Sequence, residues 1–198
     1  MAISKIVFIF ALLIHTTVMA KVDPNSEEDY WETIKAEKVQ IPVQINSLGE
    51  INSPPSGPHL KVVCISDTHN QLDLVKIDGV TFYGSSWHPL YGYPFYRPRP
   101  LLEEKWKKLP SNLDVLITHT PALGYLDTFT ETEPERWGCR YLLKEIETRV
   151  KPKFHVFGHV HQGYGALSNG NTTFINAAQA SKKNKITNKP LVFYIPKK

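Results

Sequence analysis

At 198 residues the chain is long enough for one domain with a real core. Hydrophobic residues make up 41% and charged residues 21%, as in a soluble globular protein. The net charge of +4 is mild, and the basic runs Lys182-Lys183-Asn184-Lys185 and Lys197-Lys198 are short, so binding to a nucleic-acid polymer is not expected.

Met1 to Ala20 reads as a secretory signal. Lys5 supplies the positive start, Ile6 to Ile14 is a nine-residue apolar run, and Val18-Met19-Ala20 precedes an expected cut after Ala20. The run is shorter than the ~20 apolar residues that span a bilayer, so no transmembrane anchor is expected. The competing reading is a buried N-terminal helix or strand. A used signal implies the secretory pathway or the extracellular space; without it the chain is cytoplasmic. Lys21 to Lys38 is polar and reads as a linker or a frayed helix. Val39, Ile41, Val43 and Ile45 alternate with other residues at the period of a strand, and Pro42 confines that strand to an edge. Asn46 to Pro58 is rich in Ser, Gly and Pro and reads as a loop. Residues 21–58 thus read as an extension and linker before a domain over 59–198.

His59 to Ser66 is expected as a strand covered on both faces, because Val62, Val63, Cys64 and Ile65 run without alternation. Val80 to Tyr83 is a further strand, ended by Gly84-Ser85-Ser86. The next segment is dense in aromatics: Trp87, Tyr91, Tyr93, Phe95 and Tyr96. It is either a loop packed by its own side chains or a flat wall for an aryl group, with Trp87 and His88 as candidate substrate contacts. Leu101 to Leu109 predicts a short helix, and Asp114 to Thr118 a strand. A second helix is predicted from an N-cap near Thr132, with Pro134 in its first turn. Its apolar stripe is Cys139, Leu142, Leu143, Ile146 and Val150. Phe154 to Phe157, Thr172 to Asn176 and Leu191 to Ile195 are the remaining predicted strands, and Asn169-Gly170 a tight turn. The mixture is α/β. Cys64 and Cys139 read as buried thiols. Asn171-Thr172-Thr173 is a glycosylation acceptor, relevant only on the secretory route.

Three of these strands end in metal-ligand chemistry. The first runs into Asp67-Thr68-His69, the second into His119-Thr120-Pro121, and the third into Gly158-His159-Val160-His161. On an extended chain His159 and His161, two apart, would point the same way. Gly158 would provide the sharp turn before them. Imidazole is the commonest metal ligand. His155 lies within a strand and reads as a core or supporting residue.

D-x-H, then T-H-T-P, then G-H-V-H, in that order, resembles the calcineurin-like metallophosphoesterases. Trp87, the Gly158 to Tyr164 run and Tyr83-Gly84-Ser85 are similar to the metallophosphoesterase-domain-containing branch, and the likeness covers roughly His59 to Ile195. It implies two packed β-sheets flanked by helices. It implies a divalent metal pair (Mn, Fe, Zn or Mg), with Asp67, His69 and His161 on the first ion and His119 and His159 on the second. It implies a phosphodiesterase acting on a small phosphodiester, cyclic nucleotides included. The family also carries a G-D motif and a G-N-H-[DE] motif, which supply a bridging Asp, an Asn and the catalytic His. Neither occurs here: only Asn70 to Gly79 fill that interval. The domain thus reads as internally shortened after Asn70, with no catalytic residue retained and one metal or none. The strand before Asp67 is then expected to have an unpaired edge. By spacing alone, Asp67, His69 and His161 also match a mononuclear iron set of two histidines and one carboxylate. The alternative class is a non-catalytic relative that binds metal weakly or acts through partners.

Overall fold

A computed structural model describes residues 6–10, 27–47, 49–65, 75–92, 95–129, 135–181 and 185–198. Among these residues the strands are β1 (Ile6–Phe10), β2 (Ile41–Pro42), β3 (His59–Ile65), β4 (Val75–Ile77), β5 (Val80–Ser85), β6 (Val115–Thr118), β7 (Phe154–Phe157), β8 (Gly165–Ser168), β9 (Thr173–Asn176) and β10 (Leu191–Pro196). The helices are α1 (Glu27–Ile34), α2 (Arg99–Trp106) and α3 (Arg140–Glu145). The strands form two sheets: a small one in the order β1-β3-β10 and a large one in the order β2-β8-β9-β7-β6-β5-β4. The expected α/β architecture of two packed sheets with flanking helices is what the chain adopts.

The period of two in each strand builds the core. Val80, Phe82, Val115, Ile117, Val156 and Ile175 leave one face of the large sheet and pack with Leu60, Val62, Leu191, Phe193 and Ile195 of the small one. Leu116, Phe157 and Phe174 leave the opposite face and meet Leu102, Trp106, Leu142, Leu143 and Ile146 of the helices. The buried stripe predicted from Cys139 to Val150 forms this helical layer.

Several elements differ from the sequence expectation. The second helix begins at Arg140, with extended Cys139 at its cap, and runs on through Ile146–Val150 as a π-helical turn. Left-handed Lys151 ends it before Pro152. Thr132 and Pro134 lie outside the described residues. Strand β4 was not foreseen. Asp78 and Gly79, at φ 47° and 84°, close a tight hairpin between it and β5. The edge strand around Pro42 shrinks to β2, at the rim of the large sheet against β8. The expected open edge of β3 is closed on both sides, by β1 in parallel and β10 antiparallel. Strand β1 comes from the stretch read as a secretory signal; the remainder of Met1 to Ala20 lies outside the described residues.

The polar segment read as a linker or a frayed helix contains α1, which is docked on the domain. Trp31 is buried against Gly124, where a Cβ would overlap the indole. Arg136 lies 4.6 Å over the same indole. Buried Glu27 faces Arg99 at 3.5 Å and Arg140 at 3.2 Å. Its burial pushes the Glu27 carboxyl above the usual range, against the pull of those two guanidinium groups. The helix thereby fastens the segments that carry Arg99, Gly124 and Arg136.

Candidate functional site

Four neighbouring strands of the large sheet, in the order β9-β7-β6-β5, run parallel. Their carboxyl ends therefore open on one rim, the position where open α/β sheets bind ligands. Strand β5 leads there to Trp87 and His88, β6 to His119, and β7 to His159 and His161. Strand β9 ends there in Asn176.

The imidazoles converge on this rim. The His119 and His159 ring centres lie 4.7 Å apart, tilted by 58°. His88 stands edge-on to His119 at 5.2 Å. His88 and His119 are both buried. The backbone N–H of His119 donates to the Ser85 carbonyl at 3.2 Å, fixing the end of β6 against β5. The Leu90 N–H donates to His88 Nδ1 at 3.1 Å, so the proton of a neutral His88 sits on Nε2. Trp137 packs 5.0 Å from His159 and is itself stacked on Phe129 at 4.3 Å. His161 Nδ1 lies 3.2 Å from the Ser181 carbonyl.

The route by which His159 and His161 arrive differs from the expected extended chain. The left-handed residue is His159, at φ 67°, and not Gly158. His161–Gly163 then forms a 3-10 turn. A non-glycine residue in this region is strained, and its surroundings must hold it there. Burial, reinforced by His88, Arg99 and His161 nearby, pushes the His159 imidazole down to about 3. At neutral pH it is uncharged, the form in which imidazole ligates metals.

His155 takes the supporting place read from its position in a strand. It is fully buried, with Nε2 at 2.8 Å from the Thr118 hydroxyl. That contact locks the residue just before His119. Trp87 lies under two cations, Lys105 at 4.0 Å and Arg97 at 4.9 Å from its ring centre. Asp67 and His69 lie outside the described residues. Among the described residues no group of three His, Cys, Asp or Glu side chains is placed to hold a metal ion. Two rim residues escaped the sequence reading. Trp137 sits in no pattern that marks it, and Asn176 read only as the end of a strand.

No protein-family model matches the chain. UPF0046 protein K07C11.7 of Caenorhabditis elegans is 42% identical over 266 residues, covering 90% of this chain and 90% of the relative. This chain belongs to the UPF0046 family. UPF0046 protein C25E10.12 of Caenorhabditis elegans is 46% identical over 60% of this chain and 43% of its own length. Metallophosphoesterase domain-containing protein 1 of Homo sapiens is 43% identical over 62% of this chain and 38% of its own. These relatives put this UPF0046 chain in the calcineurin-like, metallophosphoesterase-domain-containing branch, as its three histidine motifs implied. The chain spans less than half the length of the last two relatives. The 266 aligned positions exceed the 198 residues of the chain, so K07C11.7 carries residues with no counterpart here.

Proposed function

We propose that this UPF0046 chain is a shortened form of a metal-dependent phosphodiesterase for small phosphodiesters, cyclic nucleotides among them. The observation that carries the reading is the meeting of His119 and His159 at the carboxyl ends of adjacent parallel strands, 4.7 Å between rings, in a chain of this family. Two imidazoles side by side suit a divalent transition metal as part of its ligand set. In this reading His119 and His159 serve one ion, and Asp67, His69 and His161 the other. Bound metal would polarise the phosphoryl oxygens and ease attack by water. The chain's own part is to hold these imidazoles in register and to wall the rim with Trp137.

The same reading makes this chain impaired. The family's G-D and G-N-H-[DE] motifs do not occur between Asn70 and Gly79, and the longer alignment with K07C11.7 fits a segment left out. The second reading is a non-catalytic relative that binds metal weakly or acts through partners. It is favoured by the missing G-D and G-N-H-[DE] motifs, which leave His119 and His159 without a bridging carboxylate. Metal counting on the purified chain, with an aryl phosphodiester assay in added Mn²⁺, separates the two. Turnover with metal bound identifies an enzyme. A folded chain with neither metal nor turnover identifies the non-catalytic relative.

A further inference from the structure

We infer that Asn176 is a positioning residue, the strut that sets the His159 and His161 imidazoles on the rim. This rests on the reading of those histidines as metal-facing. Asn176 is the last residue of β9 and is fully buried. Its side-chain amide donates to the Val160 carbonyl at 2.8 Å and to the Leu126 carbonyl at 3.2 Å. Its Oδ1 accepts the Ala178 N–H at 3.1 Å. Both amide protons and the acceptor are thus engaged, which fixes the side chain's orientation.

The two carbonyls belong to strained places. Val160 lies between the two histidines and directly follows left-handed His159. Leu126 is itself left-handed, at φ 56°. An unfavourable backbone conformation persists only where its surroundings over-determine it. Asn176 supplies that restraint from a neighbouring strand, and it joins the loop after β7 to the loop after β6. Gly163 completes the junction. A Cβ there would overlap the Leu126 carbonyl and stand 2.9 Å from the Asn176 amide nitrogen. The side chain that fits must be short, buried and a double donor. Asp has the same shape and keeps the acceptor, yet when ionised it turns two attractions into carbonyl–carboxylate repulsions.

The test uses the full chain, with Asn176→Asp and the harsher Asn176→Ala. Long-range ¹H–¹⁵N spectra of the imidazoles report ring environment and tautomer, and His155 serves as an internal control. The expected result is that the ring signals of His159 and His161 move in Asn176→Asp while those of His155 stay. Co²⁺ titration by visible absorption should then show affinity falling by about 10- to 100-fold, as when the support of a metal ligand is lost. Unmoved His159 and His161 signals overturn the proposal. So does a shift of all rings alike with early melting, which marks a merely structural residue. Should Asn176→Ala fail to fold, Asn176→Asp and Asn176→Ser carry the test. If the parent binds no Co²⁺ but its two ring signals still move selectively, the strut stands and the metal reading fails.

Discussion

Acidification should destabilise this protein through His155 in particular. The ring lies between Phe157, 4.8 Å away, and Phe174, 5.7 Å away, and is fully buried. The Thr118 hydroxyl already donates to the Thr120 carbonyl at 2.5 Å. It can therefore only accept from His155, so Nε2 carries the imidazole proton and Nδ1 carries none. Nδ1 is buried and has no hydrogen-bond partner among the described residues. Protonating it would bury a charge with no acceptor, and burial holds the group down to about 3. An unfolded histidine titrates near 6.5. Between these values the unfolded chain binds a proton that the folded chain refuses, so stability is intact above about pH 6.5 and falls as the pH drops. At about pH 5.0 the loss from this one group is RT ln(1 + 10^1.5), about 2 kcal/mol. His155→Gln keeps an amide donor for Thr118 and cannot titrate. Urea unfolding of parent and variant, at about pH 7.5 and about pH 5.0, isolates the term because every other group cancels. The parent should lose about 2 kcal/mol more than the variant on acidification. Equal losses would refute the reasoning, since His155 would then be protonated in the fold at no cost.

Trp31→Ala should lower stability by about 3 kcal/mol in urea unfolding, since a buried indole leaves a cavity against Gly124; a change below about 1 kcal/mol would show α1 to be dispensable. His161→Ala should abolish tight Mn²⁺ or Co²⁺ binding, and parent-like stoichiometry by elemental analysis would sink the ligand assignment. Use of Met1 to Ala20 as a signal and as strand β1 exclude each other: expression in a secreting eukaryotic cell with mass spectrometry distinguishes a chain starting at Lys21, without β1 and with a glycan on exposed Asn171, from cytosolic protein with Met1 intact, which is the outcome that the pairing of β1 with β3 requires. Grafting a family segment with G-D and G-N-H-[DE] between Asn70 and Gly79 should raise metal content and phosphodiesterase rate together. An ungrafted chain as active as the graft would show those motifs to be unnecessary.

What the sequence determined by itself was chemistry and layering. The apolar run Val115, Leu116 and Ile117 declares a buried strand because a strand covered on both faces carries apolar side chains without alternation. The stripe from Cys139 to Val150 declares a buried helical face because four-residue spacing has one physical reading. His119, His159 and His161 announced a site because each follows such a strand. The hairpin at Asp78-Gly79 went unread, because β4 before it is too short to signal a strand by its own pattern. Only the tertiary structure decided how the pieces meet. That β1 and β10 flank β3 depends on pairings across most of the chain, which local propensity does not encode. That α1 is docked rather than loose depends on Trp31 finding Gly124 and on Glu27 finding Arg99 and Arg140, all distant in sequence. The left-handed turn at His159 could not be read from an ordinary His codeword. It persists because Asn176, a strand away, holds the carbonyl that follows it. Hydrogen bonds of that kind join residues that only the folded sheet makes neighbours.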